Sequence, residues 1–309
     1  MRQSFYPFRS ERAKAEYEAF CLDRAKAWPL PSETRIIETA SGQTFVRASG
    51  RITDPSLVLL PGARSGSLMW IHNIAALSAH YRTYALDTLG DVGFSVNRRD
   101  ISKPEDYVNW LDEVFTVLVP EGPVSLMGIS YGGWLAGQYA LRFPGRVRNV
   151  VLLAPACTVL RTSFPFIVQI LLLSIPVPGF GGRVRRTLGW LFRDAIRSGD
   201  APRAEVEQVI ADLEMYDRLF ALPRPPWPNV IDDKGWQGFS VPCLFLVGEN
   251  EKIYSAQAAV RRLKRVAPQV KAEIIPGAGH DLTIVQADLV VRKALAFLVE
   301  RAGVAATAA

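Results

Sequence analysis

Val124-Ser125-Leu126-Met127-Gly128-Ile129-Ser130-Tyr131-Gly132-Gly133-Trp134 passes from an apolar run into an amphipathic one. Val124 to Met127 reads as a buried strand, and Trp134 to Phe143 reads as an amphipathic helix stopped by Pro144-Gly145. Ser130 therefore sits in the turn between them. So tight a turn forces its central residue into strained backbone angles. Gly128 and Gly132, two positions either side, remove the side chains that would block the packing. The expected result is a hydroxyl held out at the carboxyl end of a sheet, above a helix amino terminus that favours developing negative charge.

A bare Gly-x-Ser-x-Gly is not specific, so its meaning depends on partners elsewhere in the chain. A serine hydroxyl is a poor nucleophile without a base, usually histidine, and the histidine needs an acid to fix its tautomer. The chain has 3 histidines. His72 and His80 precede the serine, in and beside a stretch, Leu68 to Ala79, that reads as a helix; they read as ordinary surface or packing residues. His280 stands in Pro276-Gly277-Ala278-Gly279-His280-Asp281, a loop after the strand-like Ala272 to Ile275, where α/β proteins place their chemistry.

The acid is expected between serine and histidine. Cys243 to Val247 reads as a strand and leads into Gly248-Glu249-Asn250-Glu251. Of Glu249, Glu251 and Asp281, Glu251 is the choice, because the third position after the glycine faces back across the sheet. Asp281 adjoins the base, where geometry seldom lets a side chain reach the neighbouring imidazole. Glu249 suits a turn or helix cap. Donors for an oxyanion are expected from the backbone N–H of Tyr131 and of Ala63, the latter exposed by a turn that Gly62 permits after Leu57 to Leu60. Arg64, beside it, reads as solvated or near the pocket, solvated being the commoner case. Asp87 ends a strand and opens a glycine-bearing loop, which it is expected to brace.

Strand candidates at Arg35–Glu38, Thr44–Ala48, Leu57–Leu60, Thr83–Leu86, Val124–Met127, Arg148–Leu153, Cys243–Val247 and Ala272–Ile275 alternate, after a first hairpin, with helical stretches. That pattern predicts a mostly parallel eight-stranded sheet with helices on both faces. Between about Cys157 and Ser240 no strand pattern occurs, and apolar residues recur at helical spacing. We read a helical cap there, whose Phe164, Phe166, Ile167, Ile170, Leu171, Leu172 and Trp190 pack on the core or line an acyl pocket, with packing the expected role for most. Pro223 to Pro228 marks the return linker. The domain reading is a helical extension over 1–30, core over 31–156 and 241–303, cap over 157–240 and a frayed tail over 304–309.

With 309 residues, 49% hydrophobic and 21% charged, the composition fits one globular enzyme. The net charge of +6 is spread along the chain, and the basic runs Arg183-Val184-Arg185-Arg186 and Arg261-Arg262-Leu263-Lys264-Arg265 read as solvated helix faces rather than a nucleic-acid patch. Cys21, Cys157 and Cys243 form no metal-spaced motif and read as reduced thiols. The first residues lack the apolar core of an export signal, and Phe164 to Val177 is too short and proline-broken to span a bilayer, so a cytoplasmic protein without a membrane span is expected. No metal or organic cofactor is implied, and a homo-oligomer stays open.

These motifs together resemble the α/β-hydrolase superfamily, and within it bacterial carboxylesterases of the naproxen-esterase type. The resemblance rests on LLPGARSGSLMW (59 to 70), YRTYALDTLGDVGFS (81 to 95), DYVNWLDEVF (106 to 115), MGISYGGW (127 to 134), LFLVGENEKIY (244 to 254) and IIPGAGHDL (274 to 282), spread over most of 30 to 300. It implies an α/β-hydrolase fold and hydrolysis of a small-molecule carboxylic ester through an acyl-enzyme. Ser130 would be the nucleophile, His280 the base, Glu251 the acid, and Ala63 and Tyr131 the oxyanion donors. Relatives usually carry His-Gly where this chain has Pro61-Gly62. The same constellation also serves lactonases, carbon–carbon hydrolases, perhydrolases and acyltransferases, and a member of the fold can bind a ligand without catalysis.

Overall fold

A computed structural model describes residues 6–120, 122–175, 182–222 and 225–306. Its strands are β1 (Ser32–Glu38), β2 (Gly42–Ser49), β3 (Ser56–Leu60), β4 (Arg82–Leu86), β5 (Val96–Asn97), β6 (Val124–Ile129), β7 (Val147–Leu153), β8 (Cys243–Gly248) and β9 (Lys271–Ile275). They join in one sheet of order β1-β2-β4-β3-β6-β7-β8-β9. The two-residue β5 pairs with the edge of β2, an addition to the eight expected strands. From β4 to β9 every pair is parallel, while β1, β2 and β4 are antiparallel neighbours.

The parallel strands are apolar on both faces, and that is why they read as continuous runs. Val58, Leu60, Leu126, Val150, Leu152 and Phe245 point into one core cluster, and Leu57, Leu59, Met127, Val151, Leu153 and Leu244 into the other. Each such side chain contributes roughly 1.5–3 kcal/mol when fully buried. The chain order reverses between β3 and β6, which opens a crevice at their carboxyl ends, the place where open α/β sheets bind ligands.

The helices are α1 (Glu11–Ala25), α2 (Ile74–Ser78), α3 (Pro104–Leu118), α4 (Tyr131–Arg142), α5 (Phe164–Ser174), α6 (Arg183–Leu191), α7 (Arg193–Ser198), α8 (Asp200–Leu219), α9 (Asp233–Gln237), α10 (Ala256–Val266), α11 (Leu282–Val285) and α12 (Ala287–Ala306). Residues of α3, α4, α9 and α10 enter the first cluster; those of α2 and α12 enter the second. Local chemistry sets their starts. Pro104 opens α3, where a missing N–H costs nothing, and Asp106 accepts the N–H groups of Ser102 and Lys103 at 3.0 Å each. Ser10, Ser163 and Ser255 cap α1, α5 and α10 through their side chains.

Four expectations are corrected. The helix expected over Leu68 to Ala79 is a 3₁₀ turn, Ser67–Trp70, followed by the short α2. Trp70, Ile74 and Leu77 supply the helical period by pointing into the core, while Leu68, Met69 and Ile71 turn to a cavity, and the backbone cannot serve both as one helix. The helix expected from Trp134 begins at Tyr131, because Gly132 and Gly133 are packing glycines inside it rather than turn residues.

In the cap, Phe164, Ile167, Leu171 and Leu172 are exposed, while Phe166 packs against the first core cluster and meets Trp190, ring centroids 5.8 Å apart. The sequence period marks α5 as apolar but cannot say whether a neighbour covers it. Arg262, read as solvated, is a staple: its guanidinium donates to the carbonyls of Val159 and Ile231 and to Asp233. Residues 223–224 of the return segment lie outside the described residues. Of the expected tail, 304–306 continue α12 and 307–309 lie outside the described residues. Cys21, Cys157 and Cys243 are buried and unpaired. Among the described residues no helix is long and apolar enough to cross a membrane.

Candidate active site

Ser130 follows β6 with φ 53° and ψ −115°, a left-handed conformation that a side chain rarely adopts. Three contacts hold it there. Its N–H donates to Leu153 O at 2.9 Å, and its C=O accepts from Ala156 and Trp134, each at 3.0 Å. The flanking glycines have separate reasons. A Cβ on Gly128 would lie 2.3 Å from Gly132 O, and one on Gly132 would lie 2.3 Å from Leu60 O and 2.4 Å from Pro61 O. Gly132→Ala should therefore push α4 off the loop after β3, lowering stability by about 1–3 kcal/mol and displacing Ser130. A thermal melt checks this; an unchanged Tm would mean the packing can yield.

His280 and Glu251 arrive on two loops pressed together. A Cβ on Gly248 would lie 2.3 Å from Gly279 O, and Asn250 N–H donates to Ala278 O at 2.9 Å. His280 Nε2 lies 2.9 Å from Ser130 Oγ, and Nδ1 lies 2.8 Å from Glu251 Oε2. Glu251 is aimed by its other oxygen, which accepts the N–H groups of Lys252 and Ile253 at 2.9 Å each. Glu249 instead holds the turn, taking the N–H of Gly277 at 3.1 Å. Burial disfavours a charged His280 ring, yet the adjoining Glu251 carboxylate, by charge and by hydrogen bond, and Asp281 outweigh it and raise its pKa above the ordinary 6.5.

The loop after β3 has two of three successive amides engaged. Gly62 N–H donates to Met69 Sδ at 3.2 Å and Arg64 N–H to Asp91 Oδ2 at 2.9 Å, with Arg64 held at φ 60°. Among the described residues the N–H groups of Ala63 and Tyr131 have no acceptor, and a Cβ on Gly62 would meet Ser130 Cβ at an ordinary contact distance of 3.7 Å. Tyr131 follows Ser130 in the chain, and Ala63 follows Gly62 on the cavity wall. Pro61 is the first residue of this loop, and its carbonyl packs against Gly132, where an added Cβ would lie 2.4 Å away.

Ser130 and His280 face a cavity of about 580 Å³ that also touches Ala63 and Arg64. Its roof comes from Leu188, Leu191 and Phe192 at α6 and its end, and from Val209, Leu213 and Tyr216 of α8. The arrangement suits attack by an activated hydroxyl on an apolar substrate.

A model of the alpha/beta hydrolase family matches residues 57–293. The chain belongs to that family. It is 33% identical over 273 residues to the carboxylesterase YbfK of Bacillus subtilis, spanning 88% of this chain and 89% of that one. It is 34% identical over 280 residues, 90% of each chain, to the B. subtilis uncharacterized carboxylesterase nap. The crystal structure of naproxen esterase from B. subtilis superposes with a TM-score of 0.81 at 31% identity, covering 94% of this chain and 99% of that one.

Within this hydrolase-family chain, Asp87 sits as a loop brace, accepting the N–H groups of Ser67 at 2.6 Å and Phe94 at 2.9 Å. His72 lies at the cavity rim, 3.8 Å from Glu205 of α8, and His80 is exposed. Arg64, whose commoner reading was solvent, forms part of the cavity wall and pairs with Asp217.

Sequence reasoning missed two groups. Tyr17, Phe20, Cys21 and Arg24 of α1 close the far end of the cavity against α8; their i, i+3, i+4, i+7 spacing was the available signal. Lys252 and Asp281, each next in chain to Glu251 or His280, reach the cap. Lys252 Nζ donates to Trp190 O at 2.5 Å and Leu191 O at 3.2 Å, and Asp281 Oδ2 accepts the N–H of Ala195 at 3.1 Å. No local pattern announces such contacts.

Proposed function

We propose that the protein is a serine carboxylesterase cleaving a small-molecule carboxylic ester through an acyl-enzyme. The observation that carries this is the line Ser130, His280, Glu251, with separations of 2.9 and 2.8 Å, facing one cavity. The likeness to two carboxylesterases over nine-tenths of the chain supports the substrate class.

In the first step His280 Nε2 takes the Ser130 proton as Oγ bonds to the ester carbon. The carbonyl electron pair becomes an oxyanion held by the Ala63 and Tyr131 N–H groups. Collapse breaks the ester C–O bond, and the departing alkoxide takes the proton from His280. A water molecule, deprotonated by the same nitrogen, then attacks the acyl carbon, releasing the acid and restoring the Ser130 hydroxyl. Glu251 stays ionised throughout, fixing the tautomer in which Nε2 accepts and stabilising the imidazolium.

A panel of p-nitrophenyl esters of increasing acyl length tests the reading together with the size of the pocket, and a fluorophosphonate probe tests the nucleophile. Absence of turnover and of labelling would end it. The pH profile is a further test. His280 acts only when neutral, so kcat/KM should rise with pH along a limb centred above 6.5, since the folded-state pKa is raised. A limb centred below that value would contradict the role given to Glu251.

A further inference from the structure

From Ser130 the cavity continues beneath α1 to the middle of β2, where Arg47 forms part of the wall. Arg47 is only 8% exposed, and a cation so far from water normally has a charged partner. This one is poorly provided. Nη1 donates to Ser32 Oγ at 3.2 Å, and the guanidinium carbon lies 5.3 Å from the Trp28 ring and 6.0 Å from the Phe45 ring. Nε is buried with no hydrogen-bond partner, and among the described residues no carboxylate is in ion-pair range. Asp87 attracts Arg47 from beyond contact, but its own oxygens already accept the N–H groups of Ser67 and Phe94. Arg24, the other cation at this end, is spoken for by Asp212 at 2.9 Å.

We propose that Arg47 is a specificity residue that receives a carboxylate carried on the substrate several carbons from the scissile ester, so that the preferred substrates are ester acids rather than neutral esters. The proposal rests on the esterase reading of Ser130. A guanidinium on the cavity wall without a carboxylate in ion-pair range matches a carboxylate ligand, and a single such cation balances a monoanion better than a phosphate dianion. Spacing agrees with a chain between the two groups. β2 and β6 are three strand positions apart in the sheet, roughly 14 Å, and Arg47 is level with Met127 through Ala85 and Leu59, so Ser130 lies three residues, roughly 10 Å, further along the strands; the arginine side chain spans part of this itself. The same cavity is lined by Tyr17, Leu68, Met69 and Phe94, a surface for methylenes.

The experiment compares kcat/KM for monomethyl octanedioate with methyl octanoate, and for the acetate ester of an ω-hydroxy acid with that of the matching alcohol. The first pair places the carboxylate on the acyl side and the second on the alcohol side. Enzyme concentration is set by fluorophosphonate titration of Ser130, which reports the esterase reading separately. Wild type should favour the acid in one pair by roughly tenfold to a hundredfold, chiefly through KM, and Arg47→Met should erase that ratio while Arg47→Lys keeps part of it. Because the readout is a ratio, loss of active protein common to both esters cancels. Binding of octanedioate against octanoate by calorimetry on wild type gives the same discrimination without turnover or a variant. Labelled enzyme with no preference in either pair, or a preference undiminished in Arg47→Met, would overturn the proposal and leave the esterase reading standing.

Discussion

Ser130→Ala should lower ester turnover by about three to six powers of ten while leaving the fold intact. The hydroxyl is the only group lost, and His280 keeps its bond to Glu251 at 2.8 Å. The strained backbone is not relieved, since alanine retains the Cβ and Ser130 stays pinned through Leu153 and Ala156. Tm should consequently change little. Intact-mass analysis after fluorophosphonate treatment should show one adduct on wild type and none on the variant. Turnover that survives the substitution would remove Ser130 from the mechanism, whatever its geometry.

The second large effect is expected from Glu251→Gln. Glutamine keeps the size of the side chain but not its acceptor character on both sides. One oxygen must still serve the N–H groups of Lys252 and Ile253, so the amide NH₂ faces His280. Nδ1 must then accept, which puts the ring proton on Nε2, the nitrogen that should take the Ser130 proton. By analogy with such tautomer errors elsewhere, kcat should fall by roughly four powers of ten. The residual activity carries a second signature. Glu251 is the principal group raising the His280 pKa, so its neutralisation should move the acid limb of kcat/KM to lower pH. A reduced rate with an unmoved limb would show that Glu251 acts by packing alone.

The sheet was legible because its parallel strands are apolar on both faces and end in glycine-bearing turns; Leu57–Leu60 and Cys243–Val247 could hardly read otherwise. Positions 130, 251 and 280 stood out for the same reason: each lies in a short loop at the carboxyl end of a strand, where chain order and residue type suffice. What stayed hidden depends on contacts between distant segments. Exposure of Phe164 and Leu171 is decided by what happens not to cover α5, and the broken helix at Leu68 to Ala79 by a cavity that no local pattern encodes. Arg47 was invisible as well, because one charged residue in a strand looks like a solvent-facing position until α1 is seen lying over it.

The residues that grip the cap are chain neighbours of Glu251 and His280. If α6 and α7 swing away to admit a bulky guest, Lys252 must release the Trp190 carbonyl and Asp281 the Ala195 amide. Each release frees the peptide beside Glu251 or His280. The seat of the cap and the setting of residues 251 and 280 therefore hang on hydrogen bonds made by adjacent positions in the chain.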